Sequence, residues 1–141
     1  MHATPKLNAQ QLLVMRDERV EQVLPQPEKR PELFREDVPL ADVIPRLGRD
    51  FLEIGPGLGS LTRYLAASAK EVVAVELDQR LIPPLEAILD PYSNVRIMHG
   101  DILDLSPGEL IESKKYIVVA NIPYYITSAL LRHLLESDPR P

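Results

Sequence analysis

Cysteine is absent from the 141 residues, and with it go disulfides and thiolate-metal sites. That suits a reducing compartment. No apolar run approaches the ~20 residues of a membrane span. The apolar cluster Leu12 to Met15 is too short for the core of a signal peptide. A cytoplasmic chain that does not enter membranes is the expectation. Basic charge is also short: 16 Lys and Arg stand against 21 Asp and Glu, a net charge of −5. Gripping nucleic acid requires clustered Lys and Arg, so the chain is poorly equipped to hold a polyanion alone. His2, His99 and His133 are scattered without metal-ligand spacing, and no metal is expected.

What is present divides in two. Residues 1–48 hold six of the fourteen prolines and one glycine. Within them, "LNAQQLLVMRDERVEQVL" predicts a helix: Asn8 and Gln11 have capping-box spacing, and Leu13, Val20 and Leu24 lie near one face. "PQPEKRPELFREDVP" predicts an extended charged linker, and "LADVI" one helical turn before Pro45 and Gly48. This leading part is read as a helical and linker segment, with one domain over residues 49–141. The 45% apolar content fits a globular chain with one core.

From residue 50 the pattern alternates. "DFLEI", "EVVAVEL", "NVRIM" and "YIVVA" predict strands; "SLTRYLAASA", Pro84 to Leu89 and Thr127 to Glu136 predict helices. Pro83 and Pro84 imply an irregular entry to the second helix, because neither has an N–H to donate. Strand alternating with helix predicts an α/β domain: a partial parallel sheet of about four strands, Rossmann-like, with helices on both faces.

In such sheets ligands bind beyond the carboxyl ends of the strands, and four stretches fall there. "EIGPGLGS" concentrates Gly55, Gly57 and Gly59, half of all the glycines, where the backbone must turn tightly and let a ligand approach. An ordinary strand-to-helix turn would use the same residues. Glu76 ends the second strand, where a carboxylate can accept both hydroxyls of a ribose; a solvated charge is the plainer use. Ser60 stands where a dinucleotide fingerprint wants glycine or alanine, which argues against NAD. In "HGDILDL", Asp101 can accept from an adenine amine while Ile102 packs on the ring. Asp104 reads as a helix cap or a surface charge. In "NIPYYITS", Asn121 supplies a side-chain carbonyl, Pro123 a backbone carbonyl and Tyr124 an aromatic face. Two acceptors and a stacking platform suit a planar base held by its exocyclic amine. A turn with core tyrosines is the alternative.

In order and spacing, "FLEIGPGLGSLT", "VVAVELD", "GDILDL" and "NIPYYITS" resemble the motifs of the rRNA adenine dimethyltransferases, the KsgA (RsmA) family with its Erm relatives. The last motif is the most specific, and the resemblance covers residues 50–137. It implies a class I S-adenosyl-L-methionine-dependent methyltransferase fold and small-subunit rRNA, or a pre-ribosomal subunit, as substrate. It also implies roles. Gly55 and Gly57 border the methionine part of the cofactor, Glu76 takes the ribose, and Asp101 with Ile102 takes the adenine. Asn121, which also borders the cofactor, and the Pro123 carbonyl hold the target amine, and Tyr124 stacks on the target base.

The sequence departs from the family at both ends. In place of the family's "GQNFL"-type segment stands "AQQLLV", so Gln11 and Leu13 would have to meet the cofactor. The chain stops after the helix that follows the fourth strand, whereas the family continues with three more strands and a small helical domain. The expectation is an unpaired apolar edge at "YIVVA" and hence self-association. Two readings follow: an rRNA adenine dimethyltransferase or its cofactor-binding part, and a non-catalytic module that binds the cofactor or a partner. A methyltransferase for another adenine-bearing nucleic acid is a third.

Overall fold

A computed structural model describes residues 11–16, 19–23, 48–122 and 124–141. One six-stranded sheet organises them, in the order β2-β1-β6-β3-β4-β5. The strands are β1 (Gln11–Arg16), β2 (Arg19–Val23), β3 (Asp50–Ile54), β4 (Glu71–Glu76), β5 (Val95–His99) and β6 (Ile117–Ile122). The helices are α1 (Ser60–Ala66), α2 (Ile82–Leu89), the short α3 (Pro107–Leu110) and α4 (Thr127–Leu135). Strands β6, β3, β4 and β5 run parallel, as the alternating pattern predicts.

The central strands are mostly apolar because both faces of the sheet are covered. Leu52 and Ile54 of β3, Val73 and Val75 of β4, and Val118, Ala120 and Ile122 of β6 share a core with Leu110 of α3 and Leu130 and Leu134 of α4. On the other face Phe51, Val72, Ile117 and Val119 pack with Tyr64, Leu65 and Ala66 of α1. Helix α2 begins two residues earlier than Pro84, after a 3₁₀ turn at Gln79–Leu81 that Asp78 caps. Its prolines sit in the first turn, where a missing N–H costs nothing.

Two expectations for the leading segment fail, for one reason. Residues 11–16 and 19–23 form an antiparallel hairpin instead of a helix. Its first strand lies antiparallel on β6, pairing Leu13 with Ala120 and Val14 with Val119. Four adjacent apolar residues fit a helix face or a buried strand equally well. The edge of β6 decides between them: Leu13 and Met15 enter one core and Val14 the other, a period of two. The edge of β6 is therefore covered, which removes the ground for expecting self-association through it. Leu13 is 1% exposed and packs inside that core. The linker, "LADVI" and Pro123 lie outside the described residues.

Candidate active site

The loop after β3 turns on three glycines with positive φ: Gly55 at 74°, Gly57 at 58° and Gly59 at 85°. Two of them are also short of space. A Cβ on Gly59 would lie 3.0 Å from Leu85 Cδ1, so this glycine lets α2 close onto the start of α1. A Cβ on Gly55 would lie 3.2 Å from the Asn121 carbonyl oxygen. The first and fourth motifs are thus in contact through their backbones, although 66 positions separate them in sequence.

Glu76 is 7% exposed at the end of β4. Its Oε2 accepts from the Gly57 N–H at 3.2 Å and its Oε1 from the Asp78 N–H at 3.0 Å. These bonds fix the carboxylate beside the glycine loop. Two carboxylate oxygens offer about four acceptor positions, so capacity remains for two hydroxyl donors. The Gly100 N–H donates to the Glu76 carbonyl at 3.0 Å, which brings Asp101 alongside. Asp101 Oδ1 caps the 3₁₀ turn at Ile102–Asp104 by accepting from the Leu103 N–H at 2.9 Å, so the cap is Asp101, and Asp104 is an exposed charge. Ile102 is 6% exposed and belongs to the core. Exposed apolar side chains at this end of the sheet are Leu58, Leu103 and Leu77, the last 66% exposed with its carbonyl held by His99 Nε2 at 3.2 Å.

Asn121 sits at the end of β6, and its Oδ1 is buried without a hydrogen-bond partner. It is the one buried side-chain polar atom in that condition among the described residues. An unmet buried acceptor costs about 1–3 kcal/mol, a cost that an incoming donor would remove. Three residues further on a 3₁₀ turn, Tyr124–Ile126, leads into α4. The structure therefore gathers Gly55, Gly57, Glu76, Asp101 and Asn121 at one end of the sheet, with the backbone of Gln11 next to Ile122.

Glu53 escaped the sequence reading. It is 1% exposed on β3, accepts from the Thr62 hydroxyl of α1, and has its pKa raised to about 7, chiefly by burial. The signal was a carboxylate inside an otherwise apolar strand. Leu77 was missed as well; its signal was an apolar residue placed beyond the end of β4, where no core remains.

Parallel strands with helices on both faces, and a glycine loop and carboxylates at their carboxyl ends, define the class I S-adenosylmethionine-dependent methyltransferase fold. Two solved structures share it. The 23S rRNA methyltransferase ErmE superposes with a TM-score of 0.59 at 36% identity, over 67% of this chain and 37% of that one. A dimethyladenosine transferase from Plasmodium falciparum gives 0.57 at 31% identity, over 67% and 34%. The chain belongs to the ribosomal RNA adenine dimethylase family, whose profile matches residues 43–141. Among curated relatives, ribosomal RNA small subunit methyltransferase A of Bacillus pumilus is 49% identical over 92 residues, 62% of this chain and 32% of that protein. The protein of the same name from Dehalococcoides mccartyi is 50% identical over 91 residues, 64% and 31%. The chain spans about a third of the length of these relatives.

Proposed function

We propose that this chain carries the cofactor site and target-base site of an S-adenosyl-L-methionine-dependent transferase that dimethylates the exocyclic amine of adenines in small-subunit rRNA. The observation that carries the reading is the buried, unpartnered Oδ1 of Asn121 against the Gly55 loop. The relatives named as small-subunit rRNA methyltransferases support the choice of substrate. Among the described residues no helix is long and apolar enough to cross a membrane, and no group of three or more His, Cys, Asp or Glu could hold a metal. A cytoplasmic site of action, where ribosomal subunits are built, follows from the substrate.

The residues present fit the cofactor. Glu76 has acceptor capacity for a ribose, Asp101 lies beside it for the adenine amine, and Leu77 offers an apolar face to the ring. The backbone at Gly57, where a Cβ would meet nothing within 4 Å, leaves room for the amino-acid end beside Gly55. When bound, the cofactor supplies an electrophilic methyl group. Asn121 Oδ1, with the Pro123 carbonyl, accepts hydrogen bonds from the adenine amine and turns its lone pair toward that methyl. Tyr124 supplies the face on which the base stacks. Most of the acceleration then comes from orientation and exclusion of water.

The test uses labelled cofactor and unmethylated small ribosomal subunits. Wild-type chain should place label in rRNA adenines. Asn121→Ala should cut transfer about a hundredfold, and Tyr124→Ala about ten- to a hundredfold with cofactor affinity unchanged. Glu76→Ala should weaken cofactor binding about tenfold or more. The net charge of −5 favours the alternative, a module that binds the cofactor without transfer. Cofactor binding with no label in RNA would support that alternative.

A further inference from the structure

Tyr125 is 85% exposed, the most exposed of the large apolar side chains among the described residues. It lies in the 3₁₀ turn, four residues after Asn121, while the next residue, Ile126, packs against the core and anchors the turn. The turn continues into α4, on which Ser128, Ala129 and Arg132 are all exposed. Spacings of three and four residues put these positions on one face, opposite the buried Leu130 and Leu134. The face thus begins with an aromatic ring, passes over two small residues and reaches a guanidinium. Glu136, also exposed one turn further on, bounds it, because a carboxylate repels phosphate. From Tyr125 to Arg132 the strip is about 10 Å long, the reach of a short stretch of single strand.

We propose that this strip, Tyr125 to Arg132, is the track for the RNA strand beside the target adenine. Tyr125 stacks on a neighbouring base and Arg132 pairs with a backbone phosphate. The proposal rests on the reading that the chain accepts an adenine of RNA. Three features select RNA over a protein partner. The strip begins four residues after the acceptor at Asn121. It combines a ring and a guanidinium, the two groups that single strands use for stacking and for charge. The residues between them are too small to obstruct a backbone. One such track would also let an acidic chain hold RNA locally without a broad basic surface.

The experiment measures binding of the full chain to two short fluorescent single-stranded RNAs, one with a single adenine among uridines and one all-uridine, across a range of salt. Tyr125→Ala should weaken both RNAs about tenfold and leave the salt dependence unchanged. Tyr125→Phe should restore affinity, since the ring acts and the hydroxyl does not. Arg132→Ala should weaken both and lower the slope of log affinity against log salt by about 0.7, the value for one phosphate on a single strand. A preference for the adenine RNA, with both alanine variants binding as wild type does, overturns the track and leaves the adenine site standing. Variants that weaken binding without any adenine preference in the wild type support the track and count against the adenine site. A wild-type chain that binds neither RNA overturns both.

Discussion

Glu53→Gln should gain stability relative to wild type as pH rises from 5 to 8. The Glu53 carboxyl is buried among apolar residues and its pKa is raised from 4.5 to about 7, mainly by burial, with the nearby Glu76 charge adding to the effect and the Thr62 hydroxyl opposing it. The folded chain therefore keeps a proton that the unfolded chain loses between those two values. Wherever the folded state binds more protons, stability falls as pH rises. The loss starts near pH 4.5, is complete a little above 7, and amounts to about 3 kcal/mol at about 1.4 kcal/mol per pKa unit. Glutamine cannot ionise but still accepts from Thr62, so the variant is free of that loss. Its amide adds donors to an apolar site, an offset that does not depend on pH. The quantity to read is thus the change in the variant-minus-wild-type difference between pH 5 and pH 8, from urea unfolding at each pH. The Asp78 carboxyl, lowered by its Arg80 partner, titrates below this window and does not contribute to it. Parallel pH profiles for wild type and Glu53→Gln would refute the burial argument.

Gly55→Ala should cost about 1–2 kcal/mol for the left-handed backbone alone, and more for the contact with the Asn121 carbonyl. Thermal unfolding and cofactor titration should both register it, and an unchanged cofactor affinity would show that this contact does not shape the site. Leu13→Ala should cost about 2–5 kcal/mol, as for other buried leucines. Removing residues 11–23 should expose β6 and shift the chain toward aggregates, relative to wild type, in size-exclusion chromatography. A soluble monomer without the hairpin would mean that the edge needs no cover.

The parallel half of the sheet was legible because its signals are local. Each strand is a short apolar run ended by Gly, Asp or Asn, and each helix has a repeating apolar face. The strand-end positions of Gly55, Glu76, Asp101 and Asn121 follow from that pattern. The hairpin was not legible, because Leu12 to Met15 carry no period of their own and their partner, β6, lies about a hundred residues away. The same non-local pairing hid the burial of Leu13. The 3₁₀ turn capped by Asp101 turns Ile102 into the core and leaves Leu103 38% exposed, a local rotation that the apolar pattern does not carry.

The contact between Gly55 and Asn121 links these observations to the chemistry. Methyl transfer requires the acceptor amine and the methyl group to meet in line, and an error of about 1 Å can cost a hundredfold in rate. If side chains alone set the spacing between the two subsites, rotamer freedom would blur it. Here it is set by backbone: the loop that would hold the cofactor rests on the carbonyl of the residue whose side chain would hold the target. The Gly57 N–H bound to Glu76 and the Gly55 N–H bound to the Val75 carbonyl at 3.0 Å tie that loop to β4 as well. Glycine at 55 is therefore needed on two counts, its φ of 74° and the absence of a Cβ where the Asn121 carbonyl lies. Strand β6 in turn is held between β3 and the hairpin, with Leu12 paired to Asn121 itself. The leading hairpin thus does more than cover an edge: it fixes from one side the strand whose last residues present the acceptor, while β3 fixes it from the other.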